Sequence, residues 1–136
     1  MKAKIAEISF HLHATEDAGK VGKALKELLG IAVTETETLY GHNGNVIRDC
    51  RASLAESDAD GLFLRVLDGL NSADRVRLLG ELRGHIDEKG TFFLRLDKQQ
   101  LLLGHLTLAE SDAVRIMVRL DGRSGGAEEL IRERLK

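Results

Sequence analysis

Arginines, one phenylalanine and a set of histidines are the residues in this chain whose types and spacing could do chemistry. Phe93, Arg95, Arg115 and Arg119 recur with a period of two in two apolar segments, and Arg51 does the same in a third. A period of two sends alternate side chains of a strand to one face. If those strands share a sheet, Arg51, Phe93, Arg95, Arg115, Met117 and Arg119 gather on one face with His11 and His13. Guanidinium groups bind phosphate, and an aromatic ring on an open sheet stacks on a base, so this pattern points to RNA. The same types are also enriched where a sheet face docks on a protein, such as a homodimer partner.

Two further clusters are candidates. Gly41-His42-Asn43-Gly44-Asn45 offers His42 and Asn45 beside exposed backbone N–H groups, though it lacks the ending of a P-loop. Arg95-Leu96-Asp97-Lys98-Gln99 brings Arg95, Asp97, Lys98 and Gln99 to one strand end, where they could grip a polar ligand. Asp97 could equally cap a helix. Lys20, Lys23 and Lys26 form a ridge that reads as a solvated helix face.

Catalytic chemistry is poorly served. No serine sits in a nucleophile elbow. Cys50 falls on the core side of its strand and reads as a small hydrophobe. His11 and His13 could share a metal with Glu16 or Asp17, but local spacing supplies no third ligand, so a surface pair is expected. The expectation is a protein that is not an enzyme and has no cofactor or metal.

The elements that must position these residues follow from periodicity and turn chemistry. Lys4–His13 alternates as a half-buried strand. Thr15 reads as the N-cap of a helix with Ala18, Val21, Leu25, Leu28 and Leu29 as its stripe, ended by Gly30. Ile31–Tyr40 and Val46–Leu54 read as a hairpin, with Asn43-Gly44 suited to a type I′ turn. Helices follow over Ala59–Leu70 and from Ser72, which reads as a cap, with Val76, Leu79, Leu82 and Ile86 as the second stripe. Thr91–Asp97 and Ala113–Leu120 are strands. Lys98–Leu103 is a helical turn, and Ser124 starts a terminal helix. The order β-α-β-β-α-α-β-(α)-β-α predicts an α+β fold: a single, mostly antiparallel sheet with helices packed on one face.

Bulk properties agree. The 136 residues suit one domain over 1–136, with 43% apolar and 31% charged residues. No apolar run reaches the roughly 18 residues of a membrane span, and Lys2, Lys4 and Glu7 interrupt any signal-peptide core. A single cysteine suits a reducing cytoplasm. The net charge of −2 excludes a strongly basic nucleic-acid coat. Residues 31–60 carry two arginines against six acids, whereas residues 91–136 carry eight basic residues against seven acids. Any basic patch must be assembled by folding.

Taken in order, His13-Ala14-Thr15-Glu16-Asp17, then Glu37-Thr38 before the Gly41–Asn45 hairpin, then Arg95–Gln99, this sequence resembles the archaeal RNA-binding-domain family described as predicted exosome subunits. The resemblance covers nearly the whole chain. It implies a sandwich similar to ribosomal protein L-five, with RNA and an RNA-processing complex as partners. It also implies candidate positions at His13, Thr15, Glu16, His42, Asn45, Arg95, Asp97, Lys98 and Gln99.

Overall fold

The computed structural model describes residues 3–41, 44–122 and 124–136. Five strands, β1 (Ala3–His13), β2 (Glu35–Tyr40), β3 (Val46–Ala55), β4 (Thr91–Asp97) and β5 (Ala113–Leu120), form one sheet in the order β2-β3-β1-β5-β4. Every neighbouring pair is antiparallel. The helices are α1 (Ala18–Leu29), α2 (Glu56–Gly69), α3 (Ser72–Glu81), α4 (Lys98–Leu102) and α5 (Ser124–Leu135). This is the α+β architecture expected from the element order.

The alternation that predicts the strands also fixes their faces. Ile8, Phe10 and Leu12 of β1, Cys50 and Ala52 of β3, Phe92, Leu94 and Leu96 of β4, and Val114, Ile116 and Val118 of β5 are all buried. They meet Val21 and Leu25 of α1, Leu62, Phe63 and Val66 of α2, and Ala127 and Ile131 of α5 in one core cluster. Phe63 packs edge-on to Phe92 with ring centroids 5.8 Å apart, the arrangement aromatic quadrupoles prefer. β2 contributes nothing to this core: all six of its residues are exposed.

Several local expectations need correction. Asp17, not Thr15, caps α1, its side chain accepting from the backbone N–H groups of Gly19 and Lys20. Glu16 is drawn away from the helix start by a lysine described below. Gly30 ends α1 as expected, at φ 69°, a left-handed conformation that glycine adopts without a Cβ clash. Of the predicted 31–40 strand, Glu35–Tyr40 forms the strand, and the Thr34 N–H donates to the Arg51 carbonyl at 2.9 Å just before it. Asn71, not Ser72, caps α3 by accepting from the Asp74 N–H. The buried stripe of that helix is Leu78 with Leu82, while Val76 is 70% exposed. α3 has one flank on the body and ends at Glu81 in a 3-10 turn over Leu82–His85, so the apolar spacing through Val76 and Ile86 spans two elements. The Asn43-Gly44 turn assignment lies partly outside the described residues. The flanking Gly41 N–H donates to the Asn45 carbonyl at 2.7 Å and closes the hairpin.

The two edges of the sheet differ. Along β4, the Asp97 N–H donates to the Thr107 carbonyl at 2.7 Å, and the Arg95 carbonyl accepts from the Ala109 N–H at 3.0 Å. Ile86 bridges Phe92, and Nδ1 of His85 lies 2.8 Å from the Phe93 carbonyl. That edge is therefore covered, which blocks pairing with another chain. The wall that covers it also rises beside the helix-free face.

Candidate functional site

The register brings the predicted residues together. Pairing across β2, β3, β1, β5 and β4 places Glu35, Arg51, Ser9, Arg115 and Arg95 in one row. The next row holds Ser53, Glu7, Met117 and Phe93, and Arg119 stands opposite Ile5 beyond it. These side chains lie on the face the helices leave free. Arg51, Arg95, Arg115 and Arg119 are all exposed, and Phe93 is 45% exposed. The parity read from the sequence therefore holds.

The face is a groove rather than a plane. A cavity of about 680 Å³ has Ser9, Arg51, Arg115, Met117, Phe93 and Arg95 on its floor. Arg77 and Glu81 of α3, His85, and the segment Leu108–Glu110 form its wall. Arg77 donates to Glu110 at 3.1 Å and lies 3.7 Å from Glu81, tying the helix to that segment. Sequence reasoning missed this wall. Its trace is the spacing of Arg77, Glu81 and His85 at successive fourth residues, legible only once Leu78 and Leu82 are known to face inward.

The cations of the floor are held to different degrees. Arg51 donates through Nε to Asp49 Oδ2 at 3.0 Å. Arg95 donates to the Glu110 carbonyl at 3.2 Å. Arg115 makes no hydrogen bond or ion pair with a described residue, although it stands directly opposite Arg95. Acids border the patch: Glu7 on the floor, Glu81 and Glu110 on the wall, and Glu35 and Glu37 at the β2 end. The face is thus basic over β5 and β4 and acidic over β2.

Lys98 is not on this surface. It is 2% exposed, and its Nζ donates to the His11 carbonyl at 2.7 Å, to Glu16 Oε1 at 2.9 Å and to Asp112 Oδ1 at 3.0 Å. Its expected role at a ligand surface is therefore corrected: turning into α4 aims it inward, and burial requires the carboxylates it finds. Asp97 is the cap of α4, accepting from the Gln100 N–H at 2.9 Å, and Gln99 is exposed.

His13, Glu16 and Asp112 present ligand atoms within 4.8 Å of one another, a set that could hold a metal. The Lys98 ammonium already lies between the two carboxylates, so the cation that this cluster binds is its own lysine. Burial pulls the Asp112 carboxyl upward, but the hydrogen bond and charge of Lys98, helped by His13, outweigh it and leave it below its ordinary range. Cys50 is buried, and burial raises its thiol pKa, which suits a packing role.

The remaining candidates lie apart from the groove. His13 and Thr15 are exposed near the Lys98 cluster. Asn45 is exposed at the hairpin end, about 20 Å along β3 from Arg51 by the rise of a strand. His42 lies outside the described residues.

Comparison with known proteins places the chain as a whole. A family model described as RNA binding matches residues 6–120, a span containing every residue named above on the groove floor. RNA-binding protein PAB1135 of Pyrococcus abyssi is 36% identical over 130 residues, covering 88% of this chain and 82% of that protein. The structure of Mth689, a DUF54 protein from Methanothermobacter thermautotrophicus, matches with a TM-score of 0.84 at 26% identity over 100% of both chains. Protein AF2318 from Archaeglobus fulgidus matches with a TM-score of 0.77 at 27% identity, covering 98% of this chain and 99% of that one.

Proposed function

The chain belongs to the RNA-binding family, and on that premise we propose that it is a non-catalytic RNA-binding protein that holds RNA in the groove over β1, β3, β5 and β4. The observation that carries this reading is the row Arg51–Ser9–Arg115–Arg95 lying beside exposed Phe93. Arg51, Arg95, Arg115 and Arg119 meet phosphates, and the face of Phe93 supports a base. The acidic β2 end and the acids on the wall confine the strand to the basic part of the face. A molecule with net charge −2 can bind a polyanion in this way because affinity depends on local potential, not on the total.

The test is fluorescence anisotropy with single-stranded RNA over a range of salt. If these four arginines each neutralise one phosphate, log K falls against log salt with a slope of about −3. Substituting Arg95→Ala and Arg115→Ala together makes that slope shallower by about 1.4. Affinity no tighter than millimolar at low salt, or a slope that ignores the substitutions, overturns the reading. A dimer that Phe93→Ala with Arg115→Ala dissolves, without changing RNA affinity, would favour a homodimeric adaptor. Work beside an RNA-processing complex such as the exosome is the setting that the resemblance implies. It is tested by co-purification that survives nuclease treatment.

A further inference from the structure

Beside the groove is a second, smaller concavity of about 190 Å³, lined by His11, Arg95, Ser111, Asp112 and Arg115 among others. Arg95 and Arg115 line both spaces. We propose that this notch is a subsite for the terminal phosphate monoester of an RNA strand lying in the groove. The proposal rests on the RNA reading above and adds that the site recognises a strand terminus that carries a phosphate.

Four observations carry it. First, Arg95 and Arg115 are direct cross-strand partners, and like charges so placed repel. Arg95 is satisfied by a carbonyl, and Arg115 by no described residue. An oxyanion between them would turn that repulsion into two charge-assisted contacts. Second, donors converge from different elements: two guanidiniums, the Ser111 hydroxyl and the His11 imidazole. A monoester carries three acceptor oxygens and nearly two charges, whereas an internal diester offers only two non-bridging oxygens.

Third, the carboxylates nearby are already engaged. Asp112 Oδ1 is held by Lys98 at 3.0 Å and lies 3.3 Å from His13 Nε2. Asp49 accepts from Arg51 at 3.0 Å, and its other oxygen, buried and without a hydrogen bond, lies 3.6 Å from His11 Nε2. Fourth, Asp112 has φ 45°, a conformation uncommon for a residue with a side chain. The contacts from Lys98 and His13 fix this turn, so the backbone beside Ser111 is positioned before any ligand arrives.

The experiment compares one short oligoribonucleotide with a 5′-phosphate, a 3′-phosphate or hydroxyl ends, and adds inorganic phosphate as a separate probe. One phosphate-ended form is expected to bind about tenfold tighter than its hydroxyl-ended twin, the effect of one added charge-assisted contact. His11→Ala with Ser111→Ala is expected to abolish this preference and leave affinity for the hydroxyl-ended RNA within about twofold. Inorganic phosphate is expected to shift the His11 ring resonances in NMR spectra of the unaltered protein. Equal affinity for all three oligonucleotides overturns the notch and leaves the groove standing. Phosphate-dependent shifts at His11 without binding of hydroxyl-ended RNA support the notch and overturn the groove. No shift and no RNA binding overturn both.

Discussion

Lys98 and Arg95 stand three residues apart at one end of β4, and folding sends them to opposite fates. Lys98 has 1% of its side chain exposed and is matched by two carboxylates and a carbonyl. Arg95 faces the groove and, among the described residues, takes only a carbonyl from the wall. One cation is spent inside, joining the end of β1 to the start of α4 and the turn before β5. The other remains available to a ligand. The difference teaches that the charge of a basic segment says little about binding until each cation's partners are known.

The largest expected effect breaks the inner cation. Lys98→Met leaves Glu16 and Asp112 facing each other with His13 as their remaining partner, and removing one partner of a buried ion pair costs about 3–5 kcal/mol. The lower end applies because Asp112 is half exposed. Urea unfolding should show the loss, and adding Glu16→Gln should restore part of it. If Lys98→Met melts like the original protein but binds RNA weakly, the assignment of inner and outer cations is reversed.

An intermediate effect tests the outer surface. Phe93→Ala removes a half-exposed ring that does not belong to the core. Stability should change by less than about 0.5 kcal/mol, as for ordinary surface substitutions. Affinity for single-stranded RNA should fall by about 1–3 kcal/mol if a base stacks there. A large stability loss with unchanged affinity would place Phe93 with the packing residues.

The smallest effect concerns acid. Asp112 and Asp68 have carboxyls below their ordinary range, Asp68 because Arg134 donates to it and outweighs its slight burial. A group whose pKa is depressed by folding stabilises the protein above its unfolded value, near 4, and loses that contribution as pH falls through the folded value. Stability should therefore decline below about pH 4. Asp68→Asn should flatten the decline slightly, since an exposed pair contributes at most about 1 kcal/mol. A decline just as steep in Asp68→Asn would assign the acid sensitivity to the other lowered carboxyls, Asp112 of the Lys98 cluster and Glu128 beside Arg132.

Strand periodicity made the candidate face legible. Thr91–Asp97 and Ala113–Leu120 begin and end where the alternation does, and the parity of Arg51, Phe93, Arg95, Arg115 and Arg119 follows from a pleat that repeats every two residues. The family likeness was also legible, from the order of short motifs. The helix caps were less so: Thr15, Asp17, Asn71 and Ser72 are all competent capping residues, and packing chose among neighbours.

What the sequence by itself determined, then, is which side chains share a side of each strand, because that is a local property of the backbone. Tertiary structure alone decided the strand order that sets Arg115 between Arg95 and Ser9, the α3 wall that makes a groove of the face, and the burial of Lys98. Each depends on residues far apart in the chain, such as Lys98 and Glu16, 82 positions away. No local pattern encodes a contact that exists only once the sheet has closed.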